Sequence, residues 1–106
     1  MLTRADIRVA ALALPEAYAS SHFDVADFRV NKRIFCTLLS DRPQMVLKLD
    51  PEDQHNLADG DVIQKIPNKW GANGWTYVWF ERLEPERLAG LMRMAWAQVA
   101  PKRLLK

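Results

Sequence analysis

Cysteine and histidine are scarce in this chain. One cysteine, Cys36, stands among 106 residues, with two histidines, His22 and His55. A single cysteine cannot close an intrachain disulfide, and it points to a reducing compartment. Neither histidine has another His or a Cys at metal-ligand spacing, so no metal site and no cofactor are expected. Long apolar runs are missing as well. No stretch approaches the roughly 18 apolar residues of a membrane span. The opening Met1-Leu2-Thr3-Arg4-Ala5-Asp6 lacks the basic region, apolar run and cleavage site of a secretory signal. A cytoplasmic location without membrane association is the expectation. Repeats, low-complexity tracts and linkers are also lacking, and the length suits one domain with one core.

Neither sign of charge dominates. The net charge is +2, which permits nucleic-acid binding without requiring it. The charges are unevenly spread. Residues 51–61 hold Glu52, Asp53, Asp59 and Asp61 and no Lys or Arg. Residues 84–106 hold Arg87, Arg93, Lys102, Arg103 and Lys106 against Glu84 and Glu86. Apolar residues make up 49%, too many for a disordered chain.

The most informative run is Lys69 to Phe80, with three of the four Trp residues. Asn73-Gly74 is read as the positive-φ pair of a tight turn. Trp75 to Phe80 is aromatic and β-branched, the composition of a buried strand. The rest of the chain falls into place around it. Thr3 caps a first helix, with Asp6 in the capping-box position. Ile7, Ala10, Ala11 and Leu14 make its buried stripe, and Pro15 ends it. Glu16 to Asp24 reads as an irregular link. Val25 to Val30 alternates, with Ala26, Phe28 and Val30 on one face and Asp27 and Arg29 on a wet face. Asn31-Lys32 turns the chain into a second strand, Arg33 to Leu39. After Ser40-Asp41-Arg42-Pro43, a third strand runs from Gln44 to Leu49.

Asp50 caps a second helix with Pro51 at its first position, and Asp59-Gly60 stops it near Ala58. Asp61 to Ile66 is a fourth strand, broken by Pro67-Asn68. Trp75 to Phe80 is the fifth. Pro85 opens a last helix whose Leu88, Leu91, Met92, Ala95, Trp96 and Val99 fall on one face. Pro101 ends it ahead of a basic tail, Lys102 to Lys106. The order α-β-β-β-α-β-β-α predicts a single α+β domain over 1–106, an antiparallel sheet with helices packed on one face.

Four stretches, in order, carry a family resemblance. Ala13-Leu14-Pro15-Glu16 closes the first helix. Phe28-Arg29-Val30 with Lys32-Arg33-Ile34-Phe35 forms a hairpin. Leu47-Lys48-Leu49-Asp50-Pro51-Glu52 forms a strand-to-helix corner. Trp70-Gly71-Ala72-Asn73-Gly74-Trp75-Thr76 completes the series. On these motifs the chain resembles the MmcQ/YjbR-like proteins, described as carrying a DNA-binding "double-wing" motif. The resemblance implies the same element order and says little about chemistry. Asn31 stands where the family usually has Gly, a backbone Asn can adopt. Ala72 stands where a basic residue is common; if that turn grips phosphate, one of the charges expected there is lost.

Arg29, Lys48 and Lys65 are read as sharing the wet sheet face, with Lys32 and Arg33 at the hairpin tip and Lys69 and Trp70 in the Trp-rich turn. Cations neutralise phosphates and an exposed aromatic offers a stacking surface. The plainer reading is a solvated face whose Lys and Arg lie along apolar surface. Trp75, Tyr77 and Trp79 occupy one face of the last strand and Thr76, Val78 and Phe80 the other. One set is expected to be core, and the other to be covered as well by the terminal helix with Trp96 and the first helix, with a pocket wall as the alternative. Trp70 is expected to be the most exposed Trp. His22 reads as a loop or capping residue, with a general base or ligand contact as the alternative. His55 reads as surface and Cys36 as core. No catalytic residue is assigned. The expected function is a non-enzymatic, monomeric DNA-binding domain working through the basic sheet face and hairpin tips. The alternatives are a protein-interaction domain using the aromatic turn, and a small-molecule binder near His22 and Trp70.

Overall fold

The first helix starts where a side chain can satisfy its free N–H groups. Thr3 Oγ1 accepts from the Asp6 N–H at 3.2 Å, and the Thr3 N–H donates to Asp6 Oδ2 at 2.8 Å. This reciprocal box holds the Asp6 carboxyl below its ordinary pKa, chiefly through the Thr3 backbone bond. The helix that follows, α1, spans Arg4–Leu12 and buries Ile7 and Ala11. The computed structural model describes residues 1–105. Beyond α1 come β1 (Tyr18–His22), β2 (Val25–Val30), β3 (Arg33–Leu38), β4 (Gln44–Lys48), α2 (Pro51–Leu57), β5 (Ile63–Lys65), α3 (Lys69–Ala72), β6 (Trp75–Trp79) and α4 (Leu88–Val99). The six strands form one antiparallel sheet in the order β1-β2-β3-β4-β6-β5.

Two elements depart from the sequence reading. The link expected over Glu16 to Asp24 contains β1, a polar edge strand paired with β2 from Tyr18↔Arg29 to His22↔Val25. It turns through Phe23 and Asp24, both at positive φ. The Trp-rich turn contains the single helical turn α3. Asn73 there has φ −89, so Gly74 alone supplies positive φ. At the second hairpin tip, Asn31 and Lys32 both take positive φ, the twist a two-residue turn requires.

Cross-strand partners share a face. Phe28, Cys36, Leu47 and Thr76 line up across β2, β3, β4 and β6, as do Ala26, Leu38, Met45, Val78 and Ile63 from β2 to β5. This inner face is covered by α4, which crosses β2, β3 and β4, with α1 packed against it. The buried residues of α4 are the six-residue stripe read from the sequence. Each large side chain so buried contributes about 1.5–3 kcal/mol before entropy is subtracted. Trp96 Nε1 also donates to the Pro15 carbonyl at 3.0 Å, tying α4 to the segment after α1.

Only one face of the aromatic strand is covered, where both were expected to be. Thr76, Val78 and Phe80 are buried, while Trp75, Tyr77 and Trp79 are half-buried on the uncovered side. The reason is register: Thr76 and Val78 stand beside Leu47 and Met45, whose face α4 covers. The basic tail is partly neutralised, since Arg103 forks onto Glu16 at 2.6 and 2.7 Å. Lys106 lies outside the described residues.

Two glycines fix the corner between α2, α3 and β6. A Cβ on Gly71 would sit 1.6 Å from the Ile66 carbonyl oxygen. A Cβ on Gly74, at φ +100, would sit 1.9 Å from the Leu49 oxygen. Close backbone approach therefore requires both. Buried Gln54 of α2 completes the corner, donating to the Trp75 carbonyl at 3.0 Å and to Thr76 Oγ1 at 2.9 Å.

Candidate nucleic-acid interface

Among the described residues neither α1 nor α4 lies over the outer face of the sheet, which α3 borders at β6; Asp27 and Thr37 on that face are nonetheless buried. Alternation fixes which side chains point outward. One row runs Ser20, Asp27, Thr37, Val46, Tyr77, Gln64 from β1 to β5. Beside it stand Tyr18, Arg29 and Ile34 on β1 to β3, and Lys48 and Trp75 on β4 and β6. A β-bulge between Phe28 and Arg29 shifts the β2–β3 register here.

These rows form a groove of about 470 Å³. Ile34, Thr37 and Val46 make its floor, Trp75 and Tyr77 one wall, and His22, Asn68 and Trp70 its rim. Trp70 is 58% exposed, the most exposed tryptophan, as its place in the sequence suggests. It is held out by α3, whose cap is Asn68. Asn68 Oδ1 accepts from the Trp70 N–H at 2.8 Å. Asn68 itself has φ 102 and ψ −171, a region that residues other than glycine enter at a cost of about 1–3 kcal/mol. Strain is thus stored where the rim aromatic is presented.

A second concavity, about 380 Å³, shares Ile34 and Trp75 with the groove. Arg29, Lys32, Arg33 and Lys48 line it, with Val99 at the end of α4. Four of the seven residues singled out from the sequence therefore gather in one notch. Trp70 lies across the groove, and Lys69 is exposed beside it on α3. Lys65 is a correction. It pairs with Thr76 and so points to the opposite face from Lys48, into a cleft with Pro51, Gln54 and Ala72. The three-residue strand β5 was too short for alternation to fix its orientation.

Not all notch cations are equally free. Arg29 donates Nε to Asp27 Oδ1 at 2.8 Å and Nη2 to Oδ2 at 3.0 Å. Lys48 Nζ donates to the Asn73 carbonyl and sits 5.5 Å from the Trp75 ring centroid. Burial, then the charge of Arg33, lowers the Lys48 pKa. Arg33 and Lys32 have no ion pair within the described residues.

Asp27 was expected on a wet face, yet it is fully buried. The unforeseen strand β1 brings His22 across, and His22 Nδ1 lies 2.7 Å from Asp27 Oδ2. Burial alone would raise the Asp27 pKa. The bonds from Arg29 and His22 outweigh it and hold the carboxyl below its ordinary value. His22 is thereby a strand residue at the groove rim, not a loop residue. Phe23, beside it at the hairpin tip, is 96% exposed, and nothing in the sequence singled it out. Cys36 is buried, as expected, and His55 is exposed. No group of three or more His, Cys, Asp or Glu residues that could hold a metal ion occurs among the described residues. No helix among them is long and apolar enough to cross a membrane.

A six-stranded antiparallel sheet with α4 and α1 on one face defines a small α+β domain. A family profile described as YjbR matches residues 12–98, and the chain belongs to that family. Its fold is similar to the crystal structure of Deinococcus radiodurans protein DR2400, whose family-model domain is DUF419. The TM-score is 0.78 at 24% identity, covering 97% of this chain and 82% of that one. That likeness establishes the fold and no chemistry. A search of curated proteins returns no significant match.

Proposed function

We propose that this chain is a nucleic-acid-binding module that works through the outer face of its sheet. The observation that carries the reading is the cationic notch of Arg29, Lys32, Arg33 and Lys48, bounded by Val99 at the end of α4, adjoining an aromatic groove on the sheet face away from α1 and α4. Cations hold phosphates and aromatic faces hold bases, and the two are contiguous here. The hairpin tip at Asn31-Lys32 extends the charge, and Lys69 adds to it near Trp70. The DNA-binding description attached to the resembling family agrees in kind with this reading.

The test is a salt titration of binding to mixed-sequence nucleic acid. Three cations that make no ion pair within the described residues (Lys32, Arg33 and Lys69) imply a log–log slope of about −2 to −3. Absence of binding at low salt, or binding indifferent to salt, overturns the proposal.

A second reading is a small-molecule binder at His22 and Trp70. The groove volume of about 470 Å³ favours it, being of the size that suits such ligands. The continuity of the groove with the cationic notch favours a polymer with a charged backbone.

A further inference from the structure

We infer that the ligand of this face is single-stranded nucleic acid, with an unpaired base seated in the aromatic groove and its phosphate in the adjoining notch. The inference rests on the nucleic-acid reading and narrows it.

Aromatic walls are the first reason. Trp70, Trp75 and Tyr77 line the groove; Lys48 lies over one face of Trp75 and Arg42 over one face of Tyr77, while Trp70 has no such cover among the described residues. A base can use that surface only when it is out of its own stack, so duplex offers it nothing. The second reason is the shortage of charge. Arg29 is held by buried Asp27, and Lys48 is engaged with Asn73 and Trp75. Few cations are left for the phosphate contacts on which duplex binding relies. Stacking must supply the rest.

Hydrogen-bonding capacity at the rim is the third. Asn68 spends Oδ1 on the Trp70 N–H, and His22 spends Nδ1 on Asp27. The other end of each side chain, Asn68 Nδ2 and His22 Nε2, makes no hydrogen bond within the described residues. Both line the groove, where the edge of a base would lie. Asp27 fixes the orientation of the His22 ring and Arg29 fixes Asp27, so the imidazole is pre-set rather than mobile. The strained Asn68 backbone holds the Trp70 segment in the same way.

The experiment compares short single strands, DNA and RNA, with the blunt duplex of the same sequence, at low salt, by anisotropy of a labelled strand. The wild type is expected to bind one or both single strands at least about tenfold tighter than the duplex, as a single stacked base allows. Trp70→Ala is expected to weaken single-strand binding about tenfold and leave duplex binding unchanged. Trp70→Phe keeps a ring and is expected to restore most of the affinity. Since Trp70 is largely exposed, all three proteins should melt alike, which thermal denaturation checks. Duplex bound as tightly as single strand, or Trp70→Ala without effect, overturns this inference while the nucleic-acid reading stands. No binding of any strand overturns both.

Discussion

His22 and Asp27 meet across the β1–β2 hairpin, imidazole Nδ1 to carboxylate Oδ2 at 2.7 Å, with the carboxylate wholly out of solvent. Arg29 closes the other side at 2.8 Å. A buried acid is thus shared by two bases on neighbouring strands, and the pair orders the end of the groove that would otherwise be a loose hairpin.

Removing that charge has a cost that depends on pH. Asp27→Asn is expected to destabilise the protein by about 1.5–3 kcal/mol at neutral pH, the range for hydrogen bonds to a charged group. The folded-state pKa of Asp27 is depressed, so its contribution is complete above the unfolded value near 3.8 and is lost as pH falls through the lower folded value. The gap between wild type and variant in urea denaturation should therefore close below about pH 4. A gap constant down to the acid limit contradicts the assignment.

What the sequence disclosed and concealed follows from the same physics. The α4 stripe was legible because six apolar residues recur at helical spacing over three turns. The helix starts at Thr3 and Asp50 were legible because caps are local chemistry. The polar strand Tyr18-Ala19-Ser20-Ser21-His22 was not, because an edge strand with little buried surface leaves no alternation to read. Missing it also hid the burial of Asp27. The uncovered side of β6 was hidden for a different reason. Trp75, Tyr77 and Trp79 look as apolar as Thr76, Val78 and Phe80, and only the register with β4 separates them. The same register leaves the groove on the side away from α4. Lys65 went astray because β5 has three residues.

The corner glycines admit no side chain. Gly71→Ala and Gly74→Ala are each expected to cost about 3 kcal/mol or more, since the new methyl meets backbone rather than a yielding side chain. Equilibrium denaturation measures this. A loss under about 1 kcal/mol in either variant, within the range of an ordinary surface change, contradicts the packing described for the corner.

Cys36 provides a probe of the core. Burial pushes its thiol far above the ordinary 9.0, with the negative charge of Asp27 adding to the effect. Little thiolate exists in the native state, and no solvent reaches it. Labelling with a thiol reagent at mildly alkaline pH should proceed at the rate of global unfolding and jump on adding denaturant. Rapid labelling of the native protein contradicts a sealed inner face.

The most direct test of the account is amide and indole chemical-shift mapping during titration with a short single strand. Perturbations are expected at Arg33, Thr37, Val46, Tyr77 and the Trp70 indole, with α1 and α4 silent except at Val99, which lines the notch. Shifts concentrated on α1 and α4, or none at saturating strand, would contradict it.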